Sequence, residues 1–261
     1  MTPRHELGCD RDTVDDWDLH WEQFAAYASE NPAQAYRHST LLRLLERLKL
    51  CNNTRLLDVG SGQGDFLARI AKVCPSVQLA GIELSEKAVL ITVRKVPNAR
   101  VFAADLFAPP PDLNVLREWA DVAVCCEVLE HLDNPARFLS AVAHYCAKNA
   151  KLLVTVPGGP ISSFDRHIGH RRHFTARELQ LCLENAGWGV LRIFRAGFPF
   201  FNIYRTLVVA RGARLSRDLT AGQTRALALG RVVMRLFRIL FRANLLNSPF
   251  GWQLIALAGK R

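Results

Sequence analysis

Asp58-Val59-Gly60-Ser61-Gly62-Gln63-Gly64-Asp65-Phe66 closes a short apolar run and opens a segment of helical period. Glycines at alternate positions allow a tight turn with positive φ. They also let a ligand approach bare backbone at a helix N-terminus. A dinucleotide-binding turn needs G-x-G-x-x-G around a pyrophosphate. Counted from Gly60, the third glycine of that pattern falls at position 65, where Asp65 stands. A carboxylate there repels a pyrophosphate, so the spacing argues against NAD.

Around this turn the apolar pattern repeats. Arg55–Gly60, Val77–Leu84, Arg100–Asp105, Asp121–Cys126 and Lys151–Pro157 are short apolar runs bounded by turn residues, as strands buried on both faces are. Trp188–Ala196 and Trp252–Lys260 read as two more. Between them, Asn134-Pro135 places a proline at the start of a helix read over Arg137–Lys148. Thr175-Ala176-Arg177-Glu178 forms a capping box for a helix that stops at Gly187. The alternation predicts a doubly wound seven-stranded α/β sheet. Residues 51–196 and 251–261 form its core, 1–50 a helical and aromatic cap, and 197–250 an insertion before the last strand.

The composition agrees. A chain of 261 residues with 49% apolar and 22% charged residues has room for a sizeable core and is neither disordered nor fibrous. No stretch suits a transmembrane helix, and acids occupy Met1–Asp16 where a signal peptide needs an apolar centre. Seven cysteines without a CxxC pair fit reduced thiols, and a cytoplasmic location is expected.

The glycine turn with its preceding acid, Asp58, resembles motif I of the class I S-adenosylmethionine-dependent methyltransferases. Further matches follow in order: Glu83-Leu84 at the second strand end, Asp105-Leu106 at the third, and Glu127-Val128-Leu129-Glu130-His131 after the fourth. The last looks like the E-V-L-E-H segment of bacterial small-molecule methyltransferases. The resemblance implies a Rossmann-like methyltransferase sheet with S-adenosylmethionine as cofactor and S-adenosylhomocysteine as product. It implies that Glu83 takes the ribose hydroxyls, with Leu84 beside it, and that Asp105 meets the adenine amino group while Leu106 packs the ring. Backbone from Gly60 through Ser61 and Gly62 to Gly64, with Asp58 as orienter and Glu127 nearby, would hold the methionine end. Tyr27 and Arg37 are expected as lid contacts, although Tyr27 equally suits plain packing in the cap.

The acceptor is read from what remains. Methyltransferases of base amines carry an Asp/Asn-Pro-Pro-aromatic segment where this chain has Cys126-Glu127-Val128-Leu129, so nucleic acid is not favoured. Phe164-Asp165-Arg166-His167-Ile168-Gly169-His170-Arg171-Arg172-His173-Phe174 resembles a loop of methyltransferases of small-molecule and envelope metabolism. His167 or His170, or His131 of the earlier segment, can serve as general base on an acceptor hydroxyl. Asp165 and the histidines can instead hold a metal, or simply orient the loop. Their spacing lacks a three-ligand pattern, and no metal is assigned. Oxygen is thus expected as the methylated atom ahead of carbon and nitrogen.

Charge singles out the insertion. Residues 192–261 hold twelve Arg and one Lys against one acid, Asp218, while the rest of the chain is near neutral. Arg231, Arg235, Arg238 and Arg242 fall on one helical stripe, facing away from Val233, Leu236, Phe237, Leu240 and Phe241. Such a helix can roof a pocket for an apolar or lipid-like acceptor, lie peripherally on an anionic membrane, or pair two subunits in a homodimer. An RNA or protein methyltransferase, or a cofactor-binding subunit without turnover, are the alternative readings.

Overall fold

The computed structural model describes residues 17–19, 21, 31–48, 53–220 and 224–261, with the backbone alone over 211–220 and 224–231. Seven strands form one sheet: β1 (Arg55–Val59), β2 (Gln78–Glu83), β3 (Arg100–Ala103), β4 (Ala120–Cys126), β5 (Cys146–Pro157), β6 (Trp188–Ala196) and β7 (Gln253–Lys260). Their order is β3-β2-β1-β4-β5-β7-β6, parallel except for β7. The order reverses beside β1, and there the carboxyl ends of β1 and β4 open a crevice for ligands.

Helices cover both faces. On one lie α1 (Pro32–Arg47) and α2 (Asp65–Val73), packing Leu41, Leu45, Phe66 and Ile70 onto the sheet. At the edge by β3, α3 (Glu86–Lys95) starts at the Ser85 cap. The other face carries α4 (Pro135–Ala143) and α6 (Ala176–Asn185), with Phe138, Leu139, Leu179 and Leu183 inward. Between β5 and α6 lies the short α5 (Ser163–His167). Start signals in the sequence have their expected partners. The Asn134 side chain accepts from Arg137 N, and Thr175 and Glu178 form a reciprocal capping box.

One helix is shorter than its sequence suggests. The reading over Arg137–Lys148 fails because α4 stops at Ala143 and β5 begins at Cys146. Cys146 pairs with Ala120 at the foot of β4, and the register shifts before Val122 meets Lys151. Burial of Tyr145 and Cys146 against the sheet therefore outweighs a helical pattern that local propensity would extend.

The segment between β6 and β7 forms α7 (Phe200–Thr220) and α8 (Thr224–Leu240). These pack with α1 around Tyr36, Phe201, Tyr204, Val208, Phe237 and Phe241. Burying each large side chain of this third cluster contributes about 1.5–3 kcal/mol. The expected apolar face of α8 is divided, however. Phe237 and Phe241 are buried, whereas Val233 and Leu236 are exposed along with Val232 and Ile239. Among the described residues no helix is long and apolar enough to cross a membrane.

Candidate active site

Three glycines make the turn after β1 possible. Gly60, Gly62 and Gly64 all have positive φ, at 75°, 53° and 73°. A Cβ on Gly60 would stand 2.4 Å from Val128 Cγ2, so the backbone lies against the segment after β4. Asp65, the residue that argued against a dinucleotide, opens α2 and pairs with Lys95 at 2.6 Å.

Two cavities meet over this turn. The larger, about 500 Å³, is lined by Glu83, Leu84, Asp105, Leu106 and Phe107. The smaller, about 240 Å³, is lined by Asp58, Ser61, Gly62, Arg37, Asp165 and His170, among others. Trp17, Trp21, Gly60, Glu127 and His131 line both. Except for Gly64, which lines neither cavity, and Tyr27, outside the described residues, the expected cofactor residues are divided between a nucleoside-sized space and a second chamber, with Gly60, Glu127 and the candidate base His131 at the junction.

Electrostatics separate these carboxylates. Asp58 is fully buried at the end of β1, and burial together with the neighbouring Glu83 pushes its pKa up to about 7. Glu83 is raised too, chiefly by burial, although its oxygens accept from Gly62 N at 2.8 Å and Ser85 N at 3.1 Å. Asp105 is exposed, and its Oδ1 accepts from Phe107 N. Glu127 is held in the left-handed region at φ 57°, rare for a residue with a side chain. It accepts from Thr155 and from Gln253, both at 2.9 Å, and lies 3.5 Å from Arg37. Arg37 is where a lid contact would stand, while Tyr27 lies outside the described residues.

The loop after β5 forms the far wall. Ser162 and Asp165 cap α5 reciprocally, and the fully buried Asp165 also receives Arg205 of α7 at 2.8 and 3.0 Å. Burial alone would raise the Asp165 carboxyl; Arg205 and the Ser162 donors instead bring it to about 2. Asp165 is consequently committed to Arg205, which removes it from the metal role its sequence position allowed. His167 is exposed at the end of α5 and lines neither cavity, so its candidacy as general base fails. His170 and His131 do come together, with ring centroids 4.8 Å apart at 85°. Burial, with His131 next to it, holds the His170 pKa well below its ordinary value. The ring is neutral and a weak proton acceptor, which counts against the base role.

Several site residues escaped the sequence reading. Arg205 ends the aromatic run Phe198–Arg205, and its partner across 40 residues was not visible. Gln253, fully buried, is the one polar side chain in Gln253–Ala258, and that isolation in an apolar strand is the sequence signal that marks it. Trp17 and Trp21 belong to the aromatic cap, and nothing in their spacing shows that both line the two cavities.

Comparison with known proteins agrees with this geometry. A family model described as a methyltransferase domain matches residues 33–193, more than half of the chain. The chain belongs to the class I S-adenosylmethionine-dependent methyltransferases. It is 30% identical over 148 residues to a probable S-adenosylmethionine-dependent methyltransferase of Mycobacterium tuberculosis, covering 53% of this chain and 50% of that one. It is 27% identical over 166 residues to (R,S)-reticuline 7-O-methyltransferase of Papaver somniferum, covering 58% and 42%. The chain spans about half the length of the curated relatives it matches. Phosphoethanolamine N-methyltransferase 2 of Haemonchus contortus, solved with S-adenosyl-L-methionine, superposes with a TM-score of 0.61 at 16% identity. That match covers 95% of this chain and 60% of the other, and it establishes the fold. S-adenosylmethionine is therefore the cofactor of this methyltransferase.

Proposed function

We propose that the chain transfers the methyl of S-adenosylmethionine to an oxygen of a small, largely apolar acceptor. The observation that carries this reading is the junction of the two cavities. With the nucleoside beside Glu83 and the methionine end beside Asp58, the sulfonium would sit near Gly60, where the two cavities meet, and its methyl would face the smaller chamber. There Phe164, Ile168, Phe201, Tyr204 and Val208 offer an apolar wall. The donor is already activated, so the protein's task is to hold an acceptor atom about 3 Å from the methyl, in line with the C–S bond. The acceptor O–H loses its proton, the O–C bond forms, and the C–S bond breaks to leave a neutral thioether. The plant relative's O-methylation supports oxygen as the acceptor atom.

The exposed stripe of α8 extends this reading. Val232, Leu236 and Ile239 lie beside Arg235, Arg238 and Arg242, all exposed, while the side chain of Arg231 is outside the described residues. Apolar burial together with arginine attraction suits an anionic bilayer, with about 1 kcal/mol per arginine near the surface. A lipid-like acceptor would then reach the chamber from the side that Tyr204 and Val208 close. The test is methyl transfer from labelled cofactor to a panel of phenolic, isoprenoid and polar hydroxyl acceptors. Turnover of apolar hydroxyl compounds, stimulated by anionic vesicles, is expected. Turnover confined to RNA or protein, or cofactor binding without turnover, overturns it. Dimerisation without vesicle binding would assign the stripe to a second subunit.

A further inference from the structure

Glu130 has no role in the site described so far, yet it is the least ordinary residue near it. Its side chain is fully buried, and neither carboxyl oxygen meets a hydrogen-bond donor. An ionised carboxyl buried without a hydrogen-bond donor is costly unless a cation or donor joins it. Its backbone explains why it cannot move away. The Glu130 carbonyl accepts from Arg171 N at 2.8 Å and Arg172 N at 3.4 Å, which ties the loop after β5 to the segment after β4.

That tie brings His170 against His131. One Glu130 oxygen and one ring nitrogen from each histidine lie within 4.8 Å of one another. The tautomer of His170 follows from its neighbours. His173 Nδ1 lies 3.2 Å from the Gly159 carbonyl, which can only accept, so Nδ1 carries the proton. Neutral His173 then accepts at Nε2, 3.2 Å from His170 Nδ1, which must donate. His170 Nε2 is left with a bare lone pair. A hydrogen-bonded ring that presents its other nitrogen is how histidine ligands are oriented.

We propose that Glu130, His131 and His170 form a binding site for one divalent transition metal ion, zinc being the best match to the donors. Two imidazoles and a carboxylate make up a three-ligand set that leaves a fourth position for water or substrate. A second grouping, Asp165, His170 and His173, shares His170 but is the weaker set, since Arg205 already occupies both Asp165 oxygens. His131 and His170 both line the smaller chamber, so the open position faces the acceptor. The ion would bind the acceptor oxygen and lower its pKa. Its proton passes to solvent, and the metal-held oxyanion takes the methyl. This catalytic part rests on the methyl transfer proposed above, whereas metal binding does not.

The full chain, free of any affinity tag, is dialysed against a chelator and titrated with Zn²⁺, and separately with Co²⁺ for its ligand-field absorption. One ion per chain is expected. His170→Ala and Glu130→Gln should weaken binding by more than the about 10–100-fold expected for His173→Ala, an outer partner. His167→Ala should bind like the unaltered chain. S-adenosylhomocysteine affinity, measured in parallel, reports an intact fold; if Glu130→Gln does not fold, His131→Asn takes its place. Absence of stoichiometric metal, or equal binding by His170→Ala, overturns the site. Metal binding with methyl transfer undiminished after chelation keeps the site and removes its catalytic role. Metal binding with no transfer to any acceptor counts against the function proposed above and leaves the site standing.

Discussion

The nucleoside cavity and the acceptor chamber share Gly60, Glu127 and His131, yet they are assembled in different ways. The first takes its polar groups from successive strand ends, each a few residues long and placed by the parallel sheet. The second is closed by the N-terminal helix, the loop after β5 and the insertion, which meet only when the chain is folded. Its central fastening, Asp165 with Arg205, spans 40 residues. Cofactor binding thus depends on local turns, while the chamber depends on one buried ion pair and an aromatic cluster.

Arg205→Met should separate the two halves most sharply. It strands a buried carboxylate, and stability should drop by about 3–5 kcal/mol in denaturant titration. Asp165→Asn in the same chain should recover much of that loss, because the uncompensated charge is gone. The pair's own contribution is present above the unfolded carboxylate range and disappears as pH falls toward about 2. If Arg205→Met instead melts like the parent, the chamber is not held as described.

Glu83→Ala tests the other half. Losing a charged acceptor for the ribose should weaken S-adenosylhomocysteine binding by about 1.5–3 kcal/mol in calorimetry, while the donors left unpaired at Gly62 N and Ser85 N should lower stability by about 1–3 kcal/mol. An unchanged dissociation constant would detach the larger cavity from the nucleoside.

A smaller effect sharpens the boundary between them. Asp58 titrates at about 7 in the free chain, and a cationic cofactor favours its ionised form. Affinity for S-adenosylmethionine should therefore fall below pH 7, by at most tenfold per pH unit, and Asp58→Asn should flatten that slope. Without cofactor the sign reverses. A carboxyl raised in the fold contributes stability at low pH that is lost as pH rises through about 7. The smallest change is expected for His167→Ala, within about 0.5 kcal/mol in stability and with turnover unaltered, since the ring is exposed and lines neither cavity.

How far the sequence could be read follows the same division. The glycine turn, the strand-end acids and the seven strands were legible because each is a short local pattern with a fixed geometric meaning. The end of α4 was not, because a register shift between β4 and β5 gave Cys146 to the sheet. Glu130 and His131 stand side by side in a recognisable segment, but His170 joins them only through backbone bonds made forty residues later. Spacing along the chain cannot show a ligand set of that kind. The insertion helix was legible as amphipathic, yet which apolar residues turn inward depended on where Tyr36 and Tyr204 would sit.

The packing of Tyr36 against Phe201 and Phe241, each with ring centroids 5.5 Å away, joins the helix at 32–47 to the last quarter of the chain. Retargeting such an enzyme by transplanting a new 197–250 segment from a cousin would leave half of the clasp behind. A working chimaera would have to carry residues 32–47 from the same donor, so that both halves of the closure are inherited together.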